Sequence, residues 1–197
     1  NFCALPLFCI KNMVNYRVRY ALFGKGPCRM RRQPSKSYHV FLVLVGDLLK
    51  TPSVGEMDRF VQHGRITCLQ HSLLVAYLSF RVCRRLGFDF EAAARGALLH
   101  DFFLYDWHEP GHGPWHGMRH PARALENARR EFTLSRVEQD IIEKHMWPLT
   151  LRRPPRYRES VVVCAADKLC AAAEVLRLTR YSGIRAIIDH RLGGVIS

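Results

Sequence analysis

An alanine-rich apolar segment that ends in two polar residues constrains this chain more than any other feature. Residues 89–99 have the composition of a helix that packs against a hydrophobic core, and His100 and Asp101 follow directly. Four apolar or aromatic residues, 102–105, come next. A buried imidazole beside a buried carboxylate is costly unless another group pairs with them. A divalent metal ion would do so, and the segment therefore predicts a metal site inside a helical core.

Further polar residues stand on, or at the end of, other apolar helical stretches. With the His-Asp pair they form a set of candidate metal ligands: His71, His100, Asp101, His120, His145 and Asp167. Four imidazoles and two carboxylates suit a transition metal rather than calcium. The set predicts one or two divalent ions from the group Mn, Fe, Zn, Ni and Co.

Several of these candidates also have a simpler structural interpretation. His71 is compatible with a core histidine that hydrogen-bonds to backbone, and Asp167 with a buried partner of an Arg or Lys. His120 could be the N-cap of its helix, and His145 a last-turn residue that the helix dipole stabilises. Only the presence of all six residues in one chain favours ligation over these alternatives.

The order H…HD…H…H…D resembles the HD-domain superfamily of metal-dependent phosphohydrolases over roughly Val61 to Thr179. The resemblance implies an all-α fold, an HD-domain-like helical bundle with its metal site between helices. Members with two extra histidines, including the HD-GYP type, tend to hold two metals. This chain has Phe102-Phe103 after His-Asp, lacks the Gly-Lys and Gly-Tyr-Pro of that type, and so does not support a cyclic-dinucleotide substrate.

On this resemblance the candidates divide into two metal sites. His71, His100 and Asp167 would hold the first metal together with Asp101. His120 and His145 would hold a second metal, which shares Asp101 as a bridge because a carboxylate has two oxygen atoms.

The implied activity is hydrolysis of a phosphate ester, in a nucleotide or another small phosphorylated molecule, by a metal-activated water. Arg119, Lys144 and Lys168 adjoin ligands in sequence and are expected to act with Asp101 in catalysis by clamping phosphate; Arg65 and Arg123 are further candidates. Two alternatives stay open. One is a di-iron oxygenase like the HD-domain oxygenases such as inositol oxygenase, and the other is a metal-containing regulatory or nucleic-acid-binding module without turnover.

Two loops carry further functional hypotheses. Residues 107–116 hold two tryptophans and three histidines among Pro and Gly, which predicts a lid over the site, an extra metal site or a surface loop packed by its own aromatics. The basic residues 152–158 could bind a nucleic-acid backbone or a substrate phosphate, or form a solvated loop.

Composition limits the remaining possibilities. A chain of 197 residues is long enough for one domain with a sizeable core, and no stretch approaches a membrane span. Seven cysteines without a CxxC pair favour reduced thiols and a cytoplasmic location. Residues 1–37 hold eight Lys and Arg and no acid, which leaves +5 of the net +13 for the rest.

We therefore divide the chain into a basic N-terminal segment, 1–37, and an HD-type domain, 38–197. The segment is expected to be disordered or to precede the true start; a nucleic-acid arm, an acidic-surface anchor and a targeting segment are the alternatives. Periodicity and capping signals predict helices and no hairpin. The predicted helices span residues 38–50, 56–63, 68–86, 90–101, 121–132, 136–145, 159–178 and 184–192, with a loop at 102–119.

Overall fold

The computed structural model describes residues 36–64, 66–105 and 116–176. Its elements in chain order are α1 (Lys36–Leu49), α2 (Pro52–Glu56), a 3₁₀ turn (Met57–Arg59), β1 (Val61–His63), β2 (Ile66–Thr67), α3 (Cys68–Leu86), α4 (Phe90–Leu98), α5 (His116–Glu131), α6 (Arg136–Lys144) and α7 (Arg158–Val175). Apart from the short β1–β2 hairpin the described fold is helical, which confirms the predicted all-α class.

Three of the helices, α3, α4 and α6, have ends that local chemistry predicts. Thr67 caps α3 in a capping box with Gln70, and Gly87 ends that helix at φ 69°, a left-handed conformation that favours glycine. The Asp89 side chain accepts a hydrogen bond from the third residue of α4. Ser135 and Glu138 form a second capping box, which opens α6. The expected boundaries of α3 and α6 are thus confirmed to within about a residue.

Helix α4 lies at the centre of the bundle and carries His100 and Asp101 just past its end. It packs against α1, α3, α6 and α7, while α5 packs against α6, and α7 packs against α3 and α6. Gly96 of α4 brings its backbone close to Ile141 of α6: a Cβ at Gly96 would lie 3.0 Å from Cδ1 of that isoleucine. The close approach of α4 to α6 brings the ends of the two helices, and the ligands that follow them, together.

Arg95 ties α4 to the helices on both sides. Its guanidinium donates to the carboxylate of Asp47 on α1 at 2.7 Å and to Glu138 on α6 at 3.1 Å. It also donates to the carbonyl oxygen of Leu44. A guanidinium with three partners on two elements restricts how α4 can move relative to α1 and α6.

The short helix predicted at residues 56–63 is wrong. Glu56 is the last residue of α2 and Met57–Arg59 form the 3₁₀ turn, so helical structure stops at residue 59. Val61 then pairs with Thr67, and His63 with Ile66, in an antiparallel hairpin that turns at Gly64 with φ 61°. A strand of three residues is too short for its side-chain alternation to stand out from a helical pattern, which explains the wrong prediction.

The predicted loop at 102–119 extends too far toward the C-terminus. Helix α5 begins at His116, and Pro121 lies inside it rather than in its first turn. Proline fits the first turn of a helix best, which explains why the sequence predicts a helix that starts at Pro121. His120 is accordingly a residue within α5, not its N-cap.

Some expectations lie outside the described residues. These are residues 1–35 of the basic segment, Arg65, most of the predicted lid and the last predicted helix. Within 36–64, 66–105 and 116–176, the helices are too short or too polar to span a bilayer. Cys68, Cys83, Cys164 and Cys170 are buried free thiols, as predicted for the cysteines of that part of the chain.

Candidate metal centre

The fold brings all six predicted ligands into one buried cluster. His71 lies in the first turn of α3, His120 in α5 and Asp167 in α7. The other three follow helix ends: His100 and Asp101 come after α4, and His145 is the C-cap of α6. Their ligand atoms form three overlapping groups within 4.8 Å: His71, His100 and Asp101; His100, His145 and Asp167; Asp101, His120 and His145.

One half of the cluster contains His71, His100 and Asp167. Nε2 of His71 lies 3.0 Å from Oδ1 of Asp167, and Nε2 of His100 lies 3.8 Å from the same oxygen. His100 Nε2 is also 3.3 Å from Oδ2 of Asp101. These nitrogen and oxygen atoms surround one small volume, as ligands of a single ion would.

The other half forms around the second oxygen of Asp101. Oδ1 of this carboxylate lies 3.1 Å from Nε2 of His120 and 3.4 Å from Nε2 of His145. The two imidazole nitrogens are 2.8 Å apart. Asp101 thus has a different set of histidines at each of its oxygens, which is the arrangement expected of a bridging ligand.

Hydrogen bonds at Nδ1 fix the orientation of three of the rings. His100 Nδ1 donates to the carbonyl oxygen of Ala97 at 2.7 Å, and His145 Nδ1 donates to that of Ile142 at 2.9 Å. His71 Nδ1 lies 2.9 Å from a carboxylate oxygen of Glu174. A neutral imidazole that donates from Nδ1 keeps a lone pair on Nε2, and outer hydrogen bonds of this kind are typical of metal-bound histidines.

Two buried polar atoms in the cluster lack a hydrogen-bond partner among the described residues. They are Nε2 of His100 and Oδ1 of Asp101. Leaving such atoms unpaired in a protein interior costs about 1–3 kcal/mol each. A divalent cation would satisfy both at once, and the mixed nitrogen and oxygen donors suit a transition metal. The residues present therefore fit the metal that the ligand pattern predicts.

The pKa values of the histidines in the cluster also depend on burial and on the carboxylates beside them. Burial alone would lower the pKa of His71, but its hydrogen bonds to Asp167 and Glu174 outweigh burial and raise the pKa to about 9. The pKa of His100 rises to about 10, because attraction to Asp101 and Asp167 likewise exceeds the effect of burial. Without metal, protons on these rings supply the positive charge that the carboxylates require.

The remaining ligands shift in the opposite direction. Burial would raise the pKa values of Asp101 and Asp167, but the neighbouring histidines hold both well below the usual range. Burial, together with repulsion from His100 and His120, lowers the pKa of His145 to about 4 despite its contact with Asp101. His145 is thus neutral and ready to ligate at neutral pH.

Sequence reasoning missed two residues that hydrogen-bond to the side chain of a candidate ligand. Glu174 contacts Nδ1 of His71. It follows Asp167 by seven residues on α7. That spacing places Glu174 and Asp167 on one helix face and could have been used to find it. Gln62 on β1 donates from Nε2 to Oδ2 of Asp101 at 2.7 Å. No sequence signal for Gln62 was available, since the hairpin itself was not predicted.

The predicted phosphate-binding residues occupy different positions. Lys168 Nζ donates to Oδ2 of Asp167 at 2.8 Å and to the carbonyl oxygen of His145. Lys144 pairs with Glu143 at 3.0 Å, and Arg119 is exposed on α5. The further candidate Arg123 pairs with Glu126 at 3.5 Å. Of these four residues, Lys168 alone contacts a candidate ligand in the described part of the chain.

The basic residues 152–158 contact α6 and Phe88. Arg153 lies 3.6 Å from a carboxylate oxygen of Glu143, and the guanidinium of Arg158 lies 4.8 Å from the centre of the Phe88 ring. The backbone N–H of Arg156 donates to Asp140. None of these three contacts involves a candidate metal ligand.

Comparison with known proteins agrees with this site. The HD domain family matches residues 68–172, which is more than half of the chain and includes all six candidate ligands. Ribonuclease Y from Aquifex aeolicus (strain VF5) is 36% identical over 104 residues, a stretch that spans 53% of this chain but 17% of that relative. No solved structure matches the chain significantly. The chain belongs to the HD-domain superfamily, whose members are typically metal-dependent phosphohydrolases.

Proposed function

We propose that the protein is a metal-dependent phosphohydrolase that cleaves a phosphate ester of a nucleotide or another small molecule with a metal-activated water. The observation that carries this proposal is the position of Asp101. Its Oδ2 faces His100 and its Oδ1 faces His120 and His145, which supports two ions with one shared carboxylate. Ions bound there would act as Lewis acids, ionising water and neutralising charge on phosphoryl oxygens.

The chain's own groups would orient the substrate around that centre. Lys168 contacts Asp167, and its side chain is 40% exposed. Its ammonium group can therefore also reach a substrate that enters from solvent. Arg119 is exposed one residue before the ligand His120. Both would attract phosphate oxygens, and Lys168 would also hold Asp167 in place. Lys144, which pairs with Glu143, is a weaker candidate for phosphate contact.

Both phosphomonoesters and phosphodiesters deserve testing. The similarity to a protein named as a ribonuclease adds RNA to the substrates of interest, but the chain matches only 17% of that protein's length. Buried free thiols support a cytoplasmic location for the activity.

Metal content tests the proposal directly. Elemental mass spectrometry of the wild type should find close to two transition-metal ions per chain, and the double variant His120→Ala/His145→Ala should retain one. His39→Ala, a change at an exposed histidine of α1, is the matched control and should retain both. No metal in the wild type, even after reconstitution, would contradict the proposal.

Activity is the second test. The wild type loaded with Mn, Ni, Co or Zn should hydrolyse nitrophenyl phosphates, nucleotides or short RNA, and Asp101→Ala should abolish turnover while the circular dichroism spectrum is kept. Full activity in Asp101→Ala would exclude this site as the centre of reaction. Bound iron with oxygen consumption and no phosphatase activity would favour the oxygenase alternative instead.

A further inference from the structure

Gln62 is a polar residue at the metal centre that the six-ligand pattern does not include. Its side-chain Nε2 donates to Oδ2 of Asp101 at 2.7 Å. Its Oε1 atom is buried and has no hydrogen-bond partner among the described residues. Gln62 precedes the matched family region, which begins at Cys68.

The hairpin fixes the position of Gln62. Val61 pairs with Thr67, the backbone N–H of Cys68 donates to the Phe60 carbonyl at 2.8 Å, and the Thr67 hydroxyl donates to Asp58 at 2.6 Å. The pairing register shifts between Val61 and His63, so Gln62 lies at the irregularity. A bulge of this kind changes the direction of a side chain, and Gln62 contacts Asp101 while its neighbour Val61 is exposed. These contacts brace the backbone of Gln62 against the start of α3.

The same segment holds Asp101 at a second point. The thiol of Cys68 donates to the backbone carbonyl oxygen of Asp101 at 3.3 Å. The main chain of Asp101 is thereby restrained, and the remaining freedom of the carboxylate is rotation of the side chain. The amide of Gln62 opposes that rotation through its hydrogen bond to Oδ2.

We propose that Gln62 is a positioning residue of the metal centre: its amide fixes the rotation of Asp101 so that each carboxylate oxygen faces its own set of histidines. This inference rests on the proposed two-metal site. A carboxylate oxygen has two lone pairs, so Oδ2 can accept from Gln62 with one and bind a metal with the other. Outer groups that orient a ligand in this way commonly change metal affinity or activity 10- to 100-fold.

The rest of the Gln62 amide gives no hydrogen-bonded support to the hairpin, because Oε1 makes no hydrogen bond to any described residue. A glutamine retained only for packing would leave a buried oxygen unsatisfied, at a cost that an apolar residue of similar size avoids. Oε1 and Nε2 are bonded to the same carbon atom, and Oε1 therefore lies at the edge of the centre. There it can accept a hydrogen bond from a water or a substrate hydroxyl once the centre is loaded.

The test compares Mn²⁺ binding by wild type, Gln62→Met and Gln62→Asn. Methionine keeps the length of the side chain without the amide, and asparagine keeps the amide but is one methylene too short to reach Asp101. The control is Gln139→Met, which removes an amide that contacts Arg129 and the Leu134 carbonyl instead of a ligand. Calorimetric titration and the melting-temperature increase caused by Mn²⁺ are the two readouts, and neither depends on turnover.

We expect both Gln62 variants to bind Mn²⁺ about tenfold more weakly, and phosphatase activity lost at limiting Mn²⁺ to recover partly at high Mn²⁺. Gln139→Met should match the wild type. Unchanged Mn²⁺ affinity in both Gln62 variants would overturn the inference alone. Loss of the metal-free fold in both would make Gln62 structural and overturn it too, whereas absence of Mn²⁺ binding in the wild type would refute the proposed function first.

Discussion

The Nδ1 atom of His71 lies 2.9 Å from a carboxylate oxygen of Glu174, and the opposite nitrogen of the same ring lies 3.0 Å from Asp167. The ring is therefore held between two carboxylates of α7, one that can bind a metal and one behind it. A carboxylate behind a ligating histidine fixes its tautomer and increases its basicity. We therefore expect Glu174, near the end of α7, to affect how tightly the first of the two proposed sites binds its metal.

We expect Glu174→Ala to weaken metal binding about tenfold without removing any ligand. The loss follows because His71 would no longer have a partner that holds its proton on Nδ1. Titration of the metal-free protein with Co²⁺, followed by its visible absorption, measures the change. The matched control is Glu126→Ala on the exposed face of α5, which should leave Co²⁺ affinity unaltered; equal affinities in all three proteins would contradict the role of Glu174.

Metal affinity should increase with pH. In the metal-free protein, the raised pKa values of His71 and His100, about 9 and about 10, keep both rings protonated at neutral pH. A metal ion must displace those protons, so affinity is lowest at acidic pH, rises as pH increases and levels off above about pH 10. His145, with a pKa of about 4, contributes no proton in this range.

Calorimetry in buffers of different ionisation enthalpy measures the effect. Near pH 7.5 we expect about two protons to be released for each metal bound at the His71 and His100 site. Uptake of protons, or an affinity that is constant between pH 6.5 and 8.5, would show that the two rings are neutral in the metal-free protein.

Lys168 should matter more for turnover than Lys144. The Lys168 ammonium contacts both a candidate ligand and the backbone of His145, whereas Lys144 pairs with its neighbour Glu143. We expect Lys168→Met to lower kcat about a hundredfold, the usual effect of removing one group that stabilises developing charge. Lys144→Met serves as the comparison and should retain kcat within a few-fold; the reverse order would exclude Lys168 as the principal phosphate-binding cation.

Local signals in the sequence explain how much of the fold was predictable. Helix-end signals act within a few residues; here they are the capping boxes at Thr67 and Ser135 and the terminating Gly87. The two helices whose ends they mark, α3 and α6, agree with the prediction. The β1–β2 hairpin depends on pairing between Val61 and Thr67 and on contacts with α3. Such short strands have little periodicity, and a helix was predicted in their place.

Some residues of the candidate site could likewise be predicted from the sequence and others could not. His100 and Asp101 stand out in sequence because they interrupt an apolar pattern, and the spacing of the other ligands then resembles one family. Glu174 and Gln62 contact His71 and Asp101 from distant parts of the chain. Glutamate and glutamine are common on exposed surfaces, so their composition alone cannot distinguish a residue that orients a ligand from one that faces solvent.

The contact between Gly96 and Ile141 gives a prediction about stability and the metal centre together. A Cβ at position 96 would lie 3.0–3.1 Å from three side-chain atoms of Ile141, which is β-branched and stiff. Alanine gains about 1 kcal/mol over glycine in a helix, but overpacking a core costs about 1–3 kcal/mol. We therefore expect Gly96→Ala to destabilise the protein by about 1 kcal/mol, with a melting temperature about 2–4 °C lower.

The same substitution should also weaken metal binding, because movement of α4 away from α6 relieves the clash. That movement separates His100 and Asp101 from His145, which follows α6. Ile141→Ala removes two of the three clashing atoms, so Gly96→Ala should cost less in that background than in the wild type. A double-mutant cycle measures both effects, with urea denaturation for the free energy of unfolding and Mn²⁺ titration for metal affinity. If the effects of the two substitutions simply add in both measurements, the contact between Gly96 and Ile141 does not set the separation of the ligands.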